Sequence, residues 1–191
     1  RLKKERALAQ QQIVAVLQAP LIRKKLDELQ AFFARKQNTR GWHDKIEGFV
    51  RQKETLRRRL KELLRYAPCV YKPEKTRELH LARIAAKNLR YALEIMVPFY
   101  STRIHRYIRA ARAVQDVLGD LHELDVWLAY LPEAPCRQGE DPCVAKAVAF
   151  LRKKCGALRA RTYAKFVKKW QTVEAENIWN QLASILLEHE H

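Results

Sequence analysis

His80, Arg83, Lys87 and Arg90 follow one another at intervals of three, four and three residues. At about 100° per residue, that spacing puts all four side chains on one narrow face of a helix. The chemistry of such a row is anion capture. A guanidinium fork offers paired N–H donors to phosphate-type oxygens, an ammonium acts as a compact point charge, and an imidazole adds a donor whose charge responds to pH. No acidic residue interrupts the row before Glu94, whereas a merely solvated face usually mixes acids and bases at i,i+4 spacing. Leu79, Leu81, Ile84, Leu89, Leu93 and Met96 occupy most of the remaining circumference. The helix is therefore largely buried, and its basic row is expected to line a groove.

A purely structural reading competes with this one. His80 would be a core histidine, and the three cations would pair with carboxylates of a neighbouring helix. The segment from Asp116 to Asp125 offers such carboxylates, and Asp125 lies on the apolar stripe of Leu118, Leu121 and Leu128. An ionised carboxylate there must be paired, and Lys87 or Arg90 is the expected partner. His122, one turn before Asp125, comes beside His80 if the two helices are neighbours. A histidine pair near carboxylates also permits a metal or acid/base reading, but the surrounding positive charge repels a cation. Arg106, Arg109, Arg112, Arg152, Lys153, Arg159, Arg161, Lys165, Lys168 and Lys169 read mostly as solvated charges. No Walker loop, dinucleotide fingerprint or G-x-S-x-G elbow occurs.

The elements that must position these residues are helices. Five Gly and seven Pro punctuate 191 residues, and the intervals are rich in strong helix formers. The sequence predicts helices from Leu2 to Gln18 and from Pro20, at a first turn, to about Lys36. A loop from Asn38 to Gly41 leads to a charged helix ending near Tyr66. The helix bearing the basic row runs from Glu74 to about Val97, terminated by Pro98. Ser101 is the expected cap of the next helix, which continues through Gly119 to Leu131. After a loop from Pro132, Asp141 caps a helix that starts at Pro142 and reaches at least Trp170, and a last helix spans Val173 to Leu187. The fold class is all-α, with short connections that favour antiparallel bundle packing.

Thirty-eight Lys and Arg against 21 Asp and Glu give a formal charge of +17, whose self-repulsion disfavours a compact state unless an anionic partner or salt offsets it. No apolar run reaches the roughly 18 residues needed to cross a bilayer, and no secretory leader opens the sequence. A cytoplasmic protein without membrane association is expected. Cys69, Cys136, Cys143 and Cys155 form neither a C-x-x-C pair nor a cluster with a histidine pair, so they read as reduced thiols with no metal role. The ending Glu188-His189-Glu190-His191 carries no functional reading.

The run Leu79-His80-Leu81-Ala82-Arg83-Ile84-Ala85-Ala86-Lys87-Asn88-Leu89-Arg90-Tyr91-Ala92-Leu93-Glu94 resembles the histidine motif of CHAD domains, the conserved-histidine α-helical domains. The run from Val114 through Gly119 and His122 to Val126 is similar to that family's second signature. The resemblance implies a two-half helical pseudo-repeat whose basic faces meet around a channel. This chain would match the C-terminal half, with residues 1–67 as connecting helices and hairpin and residues 74–191 as the half bearing the histidine helix, in one compact domain overall. It also implies binding of inorganic polyphosphate, with possible recruitment to polyphosphate granules. By position, His80, Arg83, Lys87 and Arg90 would contact the ligand, with His122 and Arg112 as further contacts. Leu21 stands where family members often carry an arginine after the proline matching Pro20.

The function expected from these readings is non-catalytic binding of polyphosphate or another polyanion, without metal or other cofactor. The mechanism is electrostatic capture accompanied by counterion release. Two rivals remain: a nucleic-acid-binding helical protein, which net charge alone would equally suit, and a phosphohydrolase using His80, His122 and acids. Against the first, aromatic residues do not interleave with the basic row to stack bases.

Overall fold

The computed structural model describes the backbone of residues 2–37, 42–131 and 142–187, with side chains for residues 3–31, 48–100, 102–131 and 142–187. All regular structure among these residues is helical: α1 (Leu2–Gln18), α2 (Pro20–Gln37), α3 (Trp42–Leu64), α4 (Thr76–Ile95), α5 (Val97–Tyr100), α6 (His105–Tyr130), α7 (Pro142–Ala175) and α8 (Ile178–Leu187). The expected loops at 38–41 and 132–141, the Asp141 cap, Cys136 and the residues after Leu187 lie outside the described residues. The chain divides into two compact units, Arg1–Gly48 and Phe49–His191.

The first unit contains the α1–α2 hairpin. Ala19 forms the turn, its carbonyl accepting from the backbone N–H groups of Ile22 and Arg23. Pro20 sits at the first position of α2, where its missing N–H costs nothing. Leu8, Ile13, Leu17, Leu21, Leu26 and Leu29 are exposed within this hairpin.

The second unit has an ordinary core. From α3, Leu56, Leu60 and Leu63 are buried at i, i+4, i+7 spacing. α4 contributes Leu79, Ala82, Ala86, Leu89 and Leu93, and α6 contributes Ala111, Val114, Leu118 and Leu121. Phe166, Trp170 and Trp179 continue the core into α7 and α8, with adjacent ring centroids 6.3 and 6.5 Å apart. α6 is the central element, packed against both α4 and α7.

Two boundaries differ from the sequence reading. Pro98 does not end the helical path: α4 stops at Ile95, α5 forms one turn, and Ser101 begins a 3₁₀ turn through Ile104. Ser101 is thus not the cap of α6. That position is Ile104, which makes no side-chain cap bond. Further on, α7 runs past Val173 to Ala175, and the last helix starts at Ile178. The break is Asn177, whose φ of 54° lies in the left-handed region that asparagine tolerates better than most residues. Its side-chain oxygen accepts from Asn180 Nδ2 at 2.6 Å.

The Asp125 expectation is corrected as well. Its carboxylate is paired, but with Arg159 of α7 rather than Lys87 or Arg90. The same guanidinium donates to the Pro73 carbonyl at 2.8 Å, so Arg159 ties the segment entering α4 to α6 and α7. Arg152 is not an ordinary solvated charge either. It donates to the Leu128 and Leu131 carbonyls at 2.8 and 2.7 Å, satisfying acceptors that the end of α6 would leave open. Both side chains of the Asp125–Arg159 pair are only 16% exposed. Asp125→Ala should therefore cost about 2–3 kcal/mol of stability in urea unfolding. Lys87→Ala, which breaks no such pair, should change stability by less than about 1 kcal/mol. Equal effects from the two would contradict this assignment.

Candidate functional site

α4 and α6 run antiparallel, as four cross-helix contacts in register establish. His80 meets His122, Arg83 lies against Gly119, Arg90 bonds Gln115, and Glu94 meets Arg112. Ala82 and Ala86 of α4 and Ala111 of α6 are buried in the same core. Every residue singled out in the sequence for ligand contact therefore lies along one seam.

At the N-terminal end of α4 the two imidazoles stack, with centroids 3.9 Å apart and planes inclined by 36°. His80 Nδ1 is buried without a hydrogen-bond partner. Burial holds the His80 pKa below its ordinary value of 6.5, and the positive charges of His122, Arg83 and Lys87 push it the same way. A proton on one ring of so close a pair opposes a proton on the other. In the free protein His80 is thus biased towards its neutral form.

One turn further along, Arg83 Nε is buried without a hydrogen-bond partner. A Cβ at position 119 would lie 3.5 Å from it, an ordinary van der Waals contact, so neither space nor backbone conformation requires glycine there. Lys87 follows on α4. Among the described residues, neither Arg83 nor Lys87 is ion-paired to a carboxylate.

Arg90 and Arg112 behave differently. Arg90 Nε donates to Gln115 Oε1 at 2.8 Å, and Nη1 donates to Glu94 Oε1 at 2.8 Å. Arg112 Nη2 reaches the same Glu94 oxygen at 3.2 Å. Glu94 therefore bridges two of the six candidate residues, and its negative charge partly offsets them. The sequence placed Glu94 at the end of the acid-free row but did not reveal this bridge, because Arg112 comes from another helix. Tyr91, exposed beside Arg90, has the guanidinium carbon 4.4 Å from its ring centroid, a cation–π distance.

The seam can do two things chemically: present an uncompensated cationic pair, Arg83 and Lys87, and take up a proton at His80 when an anion supplies opposing charge. Among the described residues no group of three or more His, Cys, Asp or Glu side chains is placed to hold a metal ion.

The lowered His80 pKa sets a sign for pH dependence. The unfolded chain binds a proton at this histidine near its ordinary pKa, while the folded chain resists it. Stability should thus fall as pH drops below about 6.5 and through the lower folded value. Urea midpoints at about pH 7.5 and 5.5 should show a smaller acid-side loss in His80→Gln than in the parent. An identical loss in both would mean that His80 is not held neutral.

Comparison with known proteins adds a family and nothing finer. No curated protein and no solved structure matches the chain. The family model described as CHAD domain matches residues 1–132, a stretch that holds both the histidine helix α4 and α6 with its paired His122. With 132 of its 191 residues matched, the chain belongs to the CHAD domain family.

Proposed function

We propose that this protein binds inorganic polyphosphate, without catalysis, along the α4–α6 seam. The observation that carries the reading is the juxtaposition of Arg83 and Lys87, not ion-paired to a carboxylate, with the stacked His80–His122 pair. The CHAD family's general association with polyphosphate binding supports it. So does the charge of +17, which an anionic partner would relieve.

Arg83 Nε is enclosed, so the terminal guanidinium nitrogens are the groups offered to phosphate oxygens, and Lys87 adds an unconstrained charge. Ligand charge beside His80 favours its protonated form and adds a donor. Arg90 and Arg112, joined through Glu94, form the far wall and exchange part of that bridge for the ligand. Binding releases counterions condensed on the polymer, so affinity falls steeply with salt. The same recognition would recruit the protein to polyphosphate granules in a cytoplasm. No helix among the described residues is long and apolar enough to cross a membrane.

Hydrolysis has less support. Among the described residues neither His80 nor His122 is hydrogen-bonded to a carboxylate, the arrangement that fixes a general base. Nucleic acid remains the second choice, because charge attracts it equally, but the seam offers Tyr91 alone as a stacking platform beside its cations.

Competition binding tests the proposal. Long-chain polyphosphate should displace duplex RNA at equal phosphate concentration. Arg83→Gln and Lys87→Gln should each weaken polyphosphate binding about tenfold or more and lower the salt slope by about one. Tighter binding of the duplex, or phosphate release that is lost in His80→Ala, would overturn it.

A further inference from the structure

A second cationic feature lies at the other end of α6, away from the histidine pair. Thr102, Arg103, Arg106 and Arg109, together with Ile185 of α8, border an open concavity of about 390 Å³. All three arginines are exposed. Among the described residues no carboxylate lies within ion-pair distance of any of them, and the first turn of α6 contains no acidic residue. Three guanidinium groups around one hollow repel one another, and an anion in it would remove that cost.

The hollow is also partly organised. Arg106 Nη2 donates to the Tyr107 hydroxyl, and its guanidinium carbon lies 4.6 Å from the Tyr107 ring centroid. Tyr107 is only 1% exposed. One of the three cations is therefore held by a core side chain, which lowers the ordering cost of binding.

Steps of three residues rotate about 60° backwards around a helix. Arg106, Arg109 and Arg112 consequently wind around α6 as a ramp instead of sharing a face, with Arg103 in the 3₁₀ turn just before its start. The ramp ends at Arg112, which is bonded to Glu94 at the Arg90 end of the first site. Arg106 and His122 are about 24 Å apart along the helix axis at 1.5 Å per residue. A flexible polymer with a charge on every repeat can follow that path, whereas a compact phosphate compound fills only one end.

We propose that the Arg103–Arg106–Arg109 concavity is a second phosphate site occupied by the same polyphosphate chain that runs along the α4–α6 seam, making the protein selective for long chains. The proposal rests on the polyphosphate reading of the first site. Bivalent capture of one chain raises affinity without any new contact at either end.

Isothermal titration with tripolyphosphate and with long-chain polyphosphate tests it on the full chain. Both Arg103 and Arg109 are exposed, and circular dichroism checks that Arg103→Gln/Arg109→Gln remains folded. This variant should bind one tripolyphosphate where the parent binds two, and should lose about 100-fold in long-chain affinity. Arg83→Gln/Lys87→Gln should likewise leave one tripolyphosphate and weaken the long chain. Unchanged long-chain affinity in Arg103→Gln/Arg109→Gln overturns the second site and leaves the first reading intact. Loss of all binding in that variant, with no effect of Arg83→Gln/Lys87→Gln, overturns the first reading and with it the bridging chain. A defect confined to duplex RNA binding would also overturn the proposal.

Discussion

The close antiparallel packing of α4 on α6 is the constraint from which the rest follows. Their buried leucines and alanines belong to one core, and Arg83 Nε lies against Gly119 across the seam. Once the helices are that close, His80 must face His122 and Arg83 must lose solvent around its Nε. Desolvation and like charge then act in the same direction, holding His80 neutral in the free protein. The helices bury enough leucine and alanine to keep these groups together despite their mutual repulsion. Packing thus maintains an electrostatically unfavourable arrangement that an anion can relieve.

The surplus of basic residues is divided between two tasks. Arg152 and Arg159 are structural: the first closes the end of α6, and the second joins Asp125 to the Pro73 carbonyl. Tyr163 adds to the second junction by donating to the Val70 carbonyl at 2.8 Å. These ties hold the segment leading into α4, and so fix where the histidine helix begins relative to α6 and α7. Arg83 and Lys87, in contrast, have no carboxylate ion pair among the described residues. Under the proposed function these are the cations left to a ligand, since cations spent on architecture are not available to one.

Much of this was legible in the sequence. Few glycines and prolines, set among strong helix formers, determine an all-α fold, and Pro20 marks the start of α2 because its geometry suits a first turn. The face shared by His80, Arg83, Lys87 and Arg90 follows from local periodicity. What local periodicity cannot supply is the partner on another helix. Asp125 was recognisable as a carboxylate needing a cation, but Arg159 is 34 residues away and reaches it only through the packing of α7 on α6. The Glu94 bridge to Arg112 was hidden for the same reason. The α7–α8 break was expected before Val173 and lies instead at Asn177, because a left-handed asparagine does the work usually signalled by glycine. Arg106 and Arg109 read as mostly solvated charges and Arg103 was not singled out, because a spacing of three winds around a helix and the hollow they border is completed by α8.

The central claim, that the α4–α6 seam is where polyphosphate is held, is most directly tested by following the imidazole NMR signals of the six histidines during titration with long-chain polyphosphate at about pH 7. The account predicts saturable shifts of His80 and His122, with His80 moving towards its protonated form. Saturable binding that leaves His80 and His122 unmoved would contradict it.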